Sequence, residues 1–118
     1  MRLGDYVYFC PRTSDENADI ITYGAPQKMI MRFNDLTIQP ASGYMDTLQY
    51  GEKITKIWNG MANMRKYANK FHEGDLFYVD GAKPATDDSY INGDGANAIV
   101  TSVRPQNLMI RLTLEKRK

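Results

Sequence analysis

The C-terminal segment Leu108–Glu115 places a large aliphatic residue at every second position. Successive side chains of a β-strand point to opposite faces of the sheet, so this period of two predicts a half-buried strand. Such a strand directs its aliphatic side chains inward, and Arg111 and Thr113 outward into solvent. Together with two residues of an upstream strand, the inward side chains form the predicted core: Leu76, Tyr78, Leu108, Ile110, Leu112 and Leu114.

Other segments show the same period, which favours a fold built mainly from strands. The β-prone stretch Ala98–Val103 is followed by Arg104–Asn107, a predicted hairpin turn, because Pro fixes φ and Asn tolerates left-handed backbone. The two strands that flank this turn should therefore pair antiparallel. Further strands are predicted at Gln27–Gln39 with a bend or bulge at Asn34–Asp35, at Lys53–Trp58, and at Gly74–Gly81, which is apolar on both faces and therefore central. Tyr6–Phe9 is predicted to form a short first strand or an arm.

Helix is predicted for a minority of the chain. Asn59–Phe71 contains good helix formers, with Met61, Met64 and Ala68 on one face, although Gly60 and the short length leave an extended loop as the alternative. Ser42–Gln49 could form one or two helical turns.

These patterns predict a mainly β fold, a small antiparallel and partly closed β-barrel with long polar loops and at most one or two short helices. Closure is expected because it removes exposed sheet edges. A length of 118 residues suits a single domain over residues 1–118. Two stretches lack alternation and are predicted to be loops: Pro11–Ala25, within a polar N-terminal segment or arm of residues 1–26, and a long loop over residues 82–97.

The composition limits the classes of function. Fifteen Lys and Arg against 14 Asp and Glu leave a formal net charge of +1, whereas proteins that coat nucleic acid usually carry a clear basic excess. The single cysteine, Cys10, excludes an internal disulfide and favours a reducing, intracellular setting. No apolar run approaches the roughly 20 residues of a membrane span. We therefore expect no membrane partner, no metal and no cofactor.

Three local patterns leave alternatives open. A small enzyme could use the single histidine, His72, with Glu73 or Asp75 as a proton-transfer pair. Oxygen-bearing side chains near glycines resemble a calcium loop only faintly, because no bidentate glutamate follows at the required position, and a solvated loop is favoured. An OB-like or SH3-like nucleic-acid-binding barrel could use interleaved cations and aromatics. The calcium-like set is Asp87, Asp88, Asn92, Asp94 and Asn97, and the interleaved set is Arg65, Lys66, Tyr67, Lys70 and Phe71.

Trp58, the only tryptophan, is interpreted as a core or half-core aromatic, with an interface anchor as the alternative.

The order of features along Gln27–Lys116 carries a resemblance. A long alternation ends in Ile38-Gln39-Pro40-Ala41-Ser42, followed by Tyr50-Gly51, a strand ending at Trp58, the run Glu73–Gly81, a loop and a final hairpin ending in Leu114-Glu115-Lys116. This order resembles the small head–tail connector proteins of tailed bacteriophages, especially the head-closure or stopper type. The polar stretch before Gln27 departs from the resemblance.

The resemblance implies a structural virion protein rather than an enzyme. It implies a β-barrel that assembles as a homo-oligomeric, hexameric ring at the virion neck after residence in the host cytoplasm. Its expected partners are the portal or adaptor complex, tail proteins and, transiently, packaged DNA. A tail-completion or tail-terminator protein of the same virion is the alternative role.

Partner contacts are predicted on the two long polar segments, because binding residues concentrate on loops held by a rigid scaffold. These segments are expected to be mobile in the free monomer and ordered in the ring. The predicted partner residues are Asp15, Glu16, Asp19, Tyr23, Pro84, Asp87, Asp88, Tyr90, Asn92 and Asp94, and the predicted nucleic-acid contacts are Arg65, Lys66 and Lys70.

Overall fold

The structure is a computed structural model that describes residues 4–14, 20–41 and 57–117. In these ranges the chain forms seven strands and one short helix. The strands are β1 (Tyr6–Cys10), β2 (Gln27–Ile30), β3 (Leu36–Pro40), β4 (Ile57–Asn63), β5 (Leu76–Tyr78), β6 (Ala98–Gln106) and β7 (Met109–Lys116), and the helix is α1 (Met64–Tyr67). The predicted helical turns at Ser42–Gln49 and the strand start at Lys53 lie outside the described residues.

All seven strands belong to one antiparallel sheet in the order β2-β1-β5-β6-β7-β4-β3. Because strand direction alternates across such a sheet, the two edge strands β2 and β3 run in the same direction. They are also consecutive in the chain. The segment Gln27–Pro40 therefore supplies both edges of the sheet: its strand β2 pairs with β1, and its strand β3 pairs with β4.

β2 and β3 are joined by a tight turn at Phe33–Asp35, across which Arg32 and Leu36 form an antiparallel bridge. The Arg32 amide donates to the Leu36 carbonyl at 3.0 Å, and Asn34 takes the left-handed backbone with φ of 62°. Asn tolerates that conformation better than most residues. One continuous segment thus carries both sheet edges, so the sheet curls into the partly closed barrel that the alternation predicts, with the bend at Asn34–Asp35 confirmed.

The barrel interior is apolar and tightly filled. Its fully buried aliphatic side chains include Val7, Leu36, Ile38, Val79, Leu112 and Leu114. One end is covered by α1 and the turn after it, where Phe71 lies with its ring centroid 5.1 Å from that of Phe9 and 5.8 Å from that of Phe77. Burial of each such side chain contributes about 1.5–3 kcal/mol.

The register of β7 is largely the predicted one. Ile110, Leu112 and Leu114 are buried and Arg111 is exposed, but Leu108 is 64% exposed, so its assignment to the core is wrong. The hairpin turns at Asn107–Leu108, because β6 continues through Pro105 to pair with β7. Pro is tolerated there since β5 pairs only with the start of β6 and leaves that edge free.

Thr113 also departs from the prediction, because it is 8% exposed rather than open to solvent. Its pairing partner Ser102 adjoins a β-bulge, at which Thr101 is the additional residue. The Thr101 hydroxyl donates to the Thr113 carbonyl. The bulge thus brings Thr101 next to Thr113, the residue that strict alternation would leave exposed.

The segment Asn59–Phe71 is not the predicted helix. Its first five residues continue β4, and only Met64–Tyr67 form a helical turn. Pairing on both sides, with β3 and with β7, outweighs the helix propensity of Met and Ala. Gly60 faces the interior, where an added Cβ would lie 3.1 Å from the Leu112 Cβ, so a small residue is needed there.

Candidate interaction surfaces

The loop over residues 82–97 packs on the outer face of β1 and β5. Beneath it lies a second apolar cluster of Cys10, Leu76, Tyr78 and Ala96. The two core residues predicted in β5, Leu76 and Tyr78, are therefore buried, but on the face opposite the barrel interior. The loop is part of the packed structure and does not project freely from the barrel, while its mobility in the monomer stays a prediction.

A chain of hydrogen bonds fixes the middle of this loop. The Tyr78 hydroxyl donates to the Asp94 carbonyl at 2.7 Å, so the hydrogen bond between the Tyr78 and Tyr90 hydroxyls takes its proton from Tyr90. The Tyr90 oxygen in turn accepts from the Gly93 amide at 3.2 Å. Burial, reinforced by the Tyr90 hydroxyl, raises the pKa of Tyr78, so the Tyr78 hydroxyl keeps its proton and remains a donor at neutral pH.

The end of the loop is held by Asn97 and Arg117. The Asn97 side-chain amide pairs with the Val79 backbone, accepting at 2.8 Å and donating at 2.9 Å, as a neighbouring strand would. The Arg117 guanidinium donates to the Gly93 carbonyl at 2.7 Å. Because its amide is committed to Val79, Asn97 is not free to serve as the cation ligand considered for this loop.

A second polar element, the arm, comprises residues 11–26 between β1 and β2. Arg12 and Tyr23 form an isolated β-bridge, and the Thr13 amide donates to the Thr22 carbonyl at 2.9 Å. The Asn92 side chain donates to the Tyr23 carbonyl at 3.4 Å. The arm and the loop, which the sequence analysis treats as separate partner segments, therefore lie side by side.

The base of the arm is tied to the barrel by Asp75. This carboxylate is 1% exposed and accepts hydrogen bonds of 2.8 Å from the backbone amides of Arg12 and His72. Burial raises the pKa of Asp75 despite these hydrogen bonds. The carboxylate thus serves a structural role, and it meets the backbone of His72 while the His72 residue is exposed. The hydrogen bond between Asp75 and His72 therefore involves the His72 backbone amide and does not support a proton-transfer pair of these two side chains.

Cys10 is completely buried beneath the same loop. Burial raises the pKa of its thiol, in spite of nearby hydroxyls of Tyr78 and Tyr90. Because thiolates rather than thiols are nucleophilic, this cysteine is unreactive at neutral pH.

The predicted nucleic-acid contacts lie together on α1 and the turn after it. Lys66 bonds the Asp35 carboxylate at 2.8 Å, which raises the pKa of Lys66, and Lys70 donates to the Gln27 side chain at 2.9 Å. Arg65 is exposed. The interleaved aromatics Tyr67 and Phe71 are buried, so they offer no stacking platform for bases.

Trp58 is 8% exposed and belongs to the barrel core, which confirms its interpretation as a core aromatic. Its indole nitrogen donates to the Asp80 carboxylate at 3.1 Å.

The structure locates seven of the ten predicted partner residues. Asp87, Asp88, Asn92 and Asp94 are exposed on the loop, while Pro84, Tyr90 and Tyr23 are half-buried. Asp15, Glu16 and Asp19 lie outside the described residues. The arm and the loop also expose three large aliphatic side chains that the sequence analysis did not single out: Ile20, Ile21 and Ile91.

Other exposed residues were missed because they lie where strands or turns were misjudged. Phe33 is 77% exposed at the tip of the bend, although its place in the alternation grouped it with Met29 and Met31. Arg104 was assigned to a turn but faces Arg111 across the β6–β7 ladder. The sequence would have indicated an exposed, paired Arg104 only if β6 had been predicted to continue past Val103.

A groove of about 650 Å³ opens beside the loop, lined in part by Tyr6, Tyr8, Asp80 and Lys83. Within the described ranges, no three acidic, His or Cys side chains are grouped to hold a metal ion. None of the helices described is long and apolar enough to cross a membrane. Comparison with protein-family models, with curated proteins and with solved structures finds no match.

Proposed function

We propose that this protein is a structural component of a tailed-phage virion. In this proposal it forms a ring at the head–tail junction that closes the DNA-filled head and provides the docking surface for the tail. The resemblance in the order of sequence features suggests the class. The observation that carries the proposal is the distribution of exposed apolar side chains on a small rigid barrel.

These apolar side chains lie in one loop and two turns at the surface of the barrel. Ile91 is 69% exposed on the loop, while Phe33 and Leu108 occupy two turns next to α1. Those turns flank the start of the helix, since the Asn63 amide donates to the Asp35 carbonyl and the Met64 amide to the Leu108 carbonyl. A ring subunit needs two different contact surfaces, one for each neighbour, in addition to those for the head and the tail.

The direct test is assembly on the portal complex encoded by the same genome. Purified portal rings mixed with this protein should acquire an additional ring of density in electron micrographs. The same mixture made with the double variant Phe33→Ser, Leu108→Ser should lack that density. Circular dichroism should show that this variant is still folded. Absence of any bound density with the wild-type protein at micromolar concentration contradicts the proposal.

Phage lacking the gene separate the stopper from its alternative. For a stopper, heads fill with DNA and then lose it, whereas for a tail-completion or tail-terminator protein the heads retain their DNA and the defect lies in the tail. A nucleic-acid-binding module is the less favoured reading, because the aromatics next to its cations are buried.

A further inference from the structure

Two arginines face each other on the outside of the barrel. Arg104 in β6 and Arg111 in β7 are direct cross-strand partners and both are exposed, and Met61 of β4 continues the same row. Like charges directly opposite each other destabilise a sheet. Among the residues that the structure describes, neither guanidinium has a carboxylate partner. This surface, the basic row, therefore gains stability from an anionic partner outside the subunit.

The segments that build this side of the barrel are rich in positive charge, and one of their cations, Lys66, is paired with the Asp35 carboxylate at 2.8 Å. Residues 57–71 and 98–113 contain five Lys and Arg and no Asp or Glu. The opposite sign is concentrated on the acidic loop, residues 80–95, which contains four Asp and one Lys. A chain with a net charge of only +1 thus separates its charges into two complementary surfaces.

The acidic loop is held in shape before any partner binds. Asp87 and Asp88 are exposed, while Tyr90 and Gly93 of the same loop are fixed to Tyr78 and Arg117. A preorganised surface loses less conformational entropy on binding than a mobile one. Each surface also carries an exposed aliphatic side chain, Ile91 on the loop and Leu108 at the tip of the β6–β7 hairpin.

We propose that copies of this chain bind one another head to tail, with the acidic loop of one copy docked on the basic row of the next. Asp87 and Asp88 meet Arg104 and Arg111, and Ile91 packs near Leu108. This contact deepens the proposed function, on whose ring it rests, by naming the surfaces through which neighbouring subunits meet. Polyanions such as DNA are the competing occupant of the basic row.

The test uses two charge-reversed proteins in sedimentation velocity. The first carries Arg104→Glu with Arg111→Glu, and the second carries Asp87→Lys with Asp88→Lys. The wild type should associate in a concentration-dependent way at low salt, and raising NaCl from about 50 to about 500 mM should weaken it about tenfold or more, because surface charges are screened. Each variant alone should stay monomeric, and an equimolar mixture of the two should associate again.

A matched control carries Arg32→Glu with Lys116→Glu, which changes the net charge as much as the first variant but at exposed cations that belong to neither the acidic loop nor the basic row. It should associate like the wild type. Circular dichroism verifies that every variant is folded. If the two variants associate only when they are mixed, misfolding cannot explain why each variant alone stays monomeric, because mixing would not restore a lost structure.

Several results would overturn the inference. A wild type that remains monomeric at about 0.5 mM in low salt contradicts it, as does association that the arginine reversal leaves unchanged. If that reversal abolishes binding to double-stranded DNA but not self-association, the basic row is a polyanion site. If the copies associate as described but never bind the portal complex, the contact stands and the proposed function fails.

Discussion

Gly93 offers a sharp test of whether the loop is packed against the barrel. Its φ of +94° lies in the left-handed region, and a Cβ added there would lie 2.9 Å from Tyr23 Cδ2 and 3.0 Å from Leu76 Cδ1. Tyr23 belongs to the arm and Leu76 is completely buried in β5. Substitution by alanine therefore presses three elements apart at the point where they meet.

Two penalties add up for Gly93→Ala. The left-handed conformation costs a residue with a Cβ about 1–2 kcal/mol. Overpacking against a filled cluster costs about 1–3 kcal/mol more. The expected loss of unfolding free energy is thus about 2–5 kcal/mol.

Gly95→Ala is the matched control. Gly95 also has a positive φ, of +80°, but its added Cβ would meet only Tyr78 Cε2 at 4.0 Å, an ordinary contact. It should pay only the conformational penalty, about 1–2 kcal/mol. The difference between the two variants therefore isolates the contact of the loop with the arm and the barrel.

Urea unfolding followed by circular dichroism measures both losses, and limited cleavage by endoproteinase Asp-N before the exposed residues Asp87 and Asp88 reports on the loop itself. Gly93→Ala should be the less stable protein and the more rapidly cut at these aspartates. Equal stabilities within about 0.5 kcal/mol would refute the packing of the loop on the second apolar cluster.

Three further predictions follow from the same structure. Leu112→Ala should cost about 2–5 kcal/mol in urea unfolding, whereas the same change at exposed Leu108 should cost under about 0.5 kcal/mol; equal costs would contradict the hairpin turn. Because the pKa of Cys10 is raised above its ordinary 9.0, the folded state retains a proton that the unfolded state releases, so stability should fall as pH rises past about 9, with a shallower fall in Cys10→Ala. Asn97→Ala should lose about 1–3 kcal/mol and speed hydrogen exchange at the Val79 amide; unchanged exchange there would contradict the amide clamp.

The parts of this fold that sequence predicts are those where one local pattern decides. The alternation from Ile110 to Leu114 gives the correct inward face, because a period of two leaves no other way to bury three aliphatic side chains. The bend at Asn34–Asp35 is also predictable, since both residues favour turns. The N-terminal end of this alternation was less informative, because Leu108 fits the pattern of a core residue and yet is exposed.

The remaining features depend on partners distant in sequence. Asn59–Asn63 has helix-forming neighbours, and only its pairing with β3 and β7 makes it a strand. The loop over residues 82–97 looks solvated by composition, yet Tyr90 and Asn97 attach it to β5. The pairing of Arg104 with Arg111 follows only from the observed hairpin register. A turn placed at Arg104–Asn107 hides this pairing, because Arg104 then lies outside the strand.

The segment Gln27–Pro40, which supplies both sheet edges, has a consequence for how the chain folds. Its first half belongs to the N-terminal hairpin with β1, and that hairpin joins the rest of the sheet through β1 and β5, whose paired residues are about 70 positions apart. The β6–β7 hairpin, in contrast, forms from neighbours in sequence. Non-local pairing is slow, so we expect the union of β1 with β5 to be a late step. During synthesis, β1 leaves the ribosome long before β5 and must keep its free edge from pairing with other chains until its partner arrives.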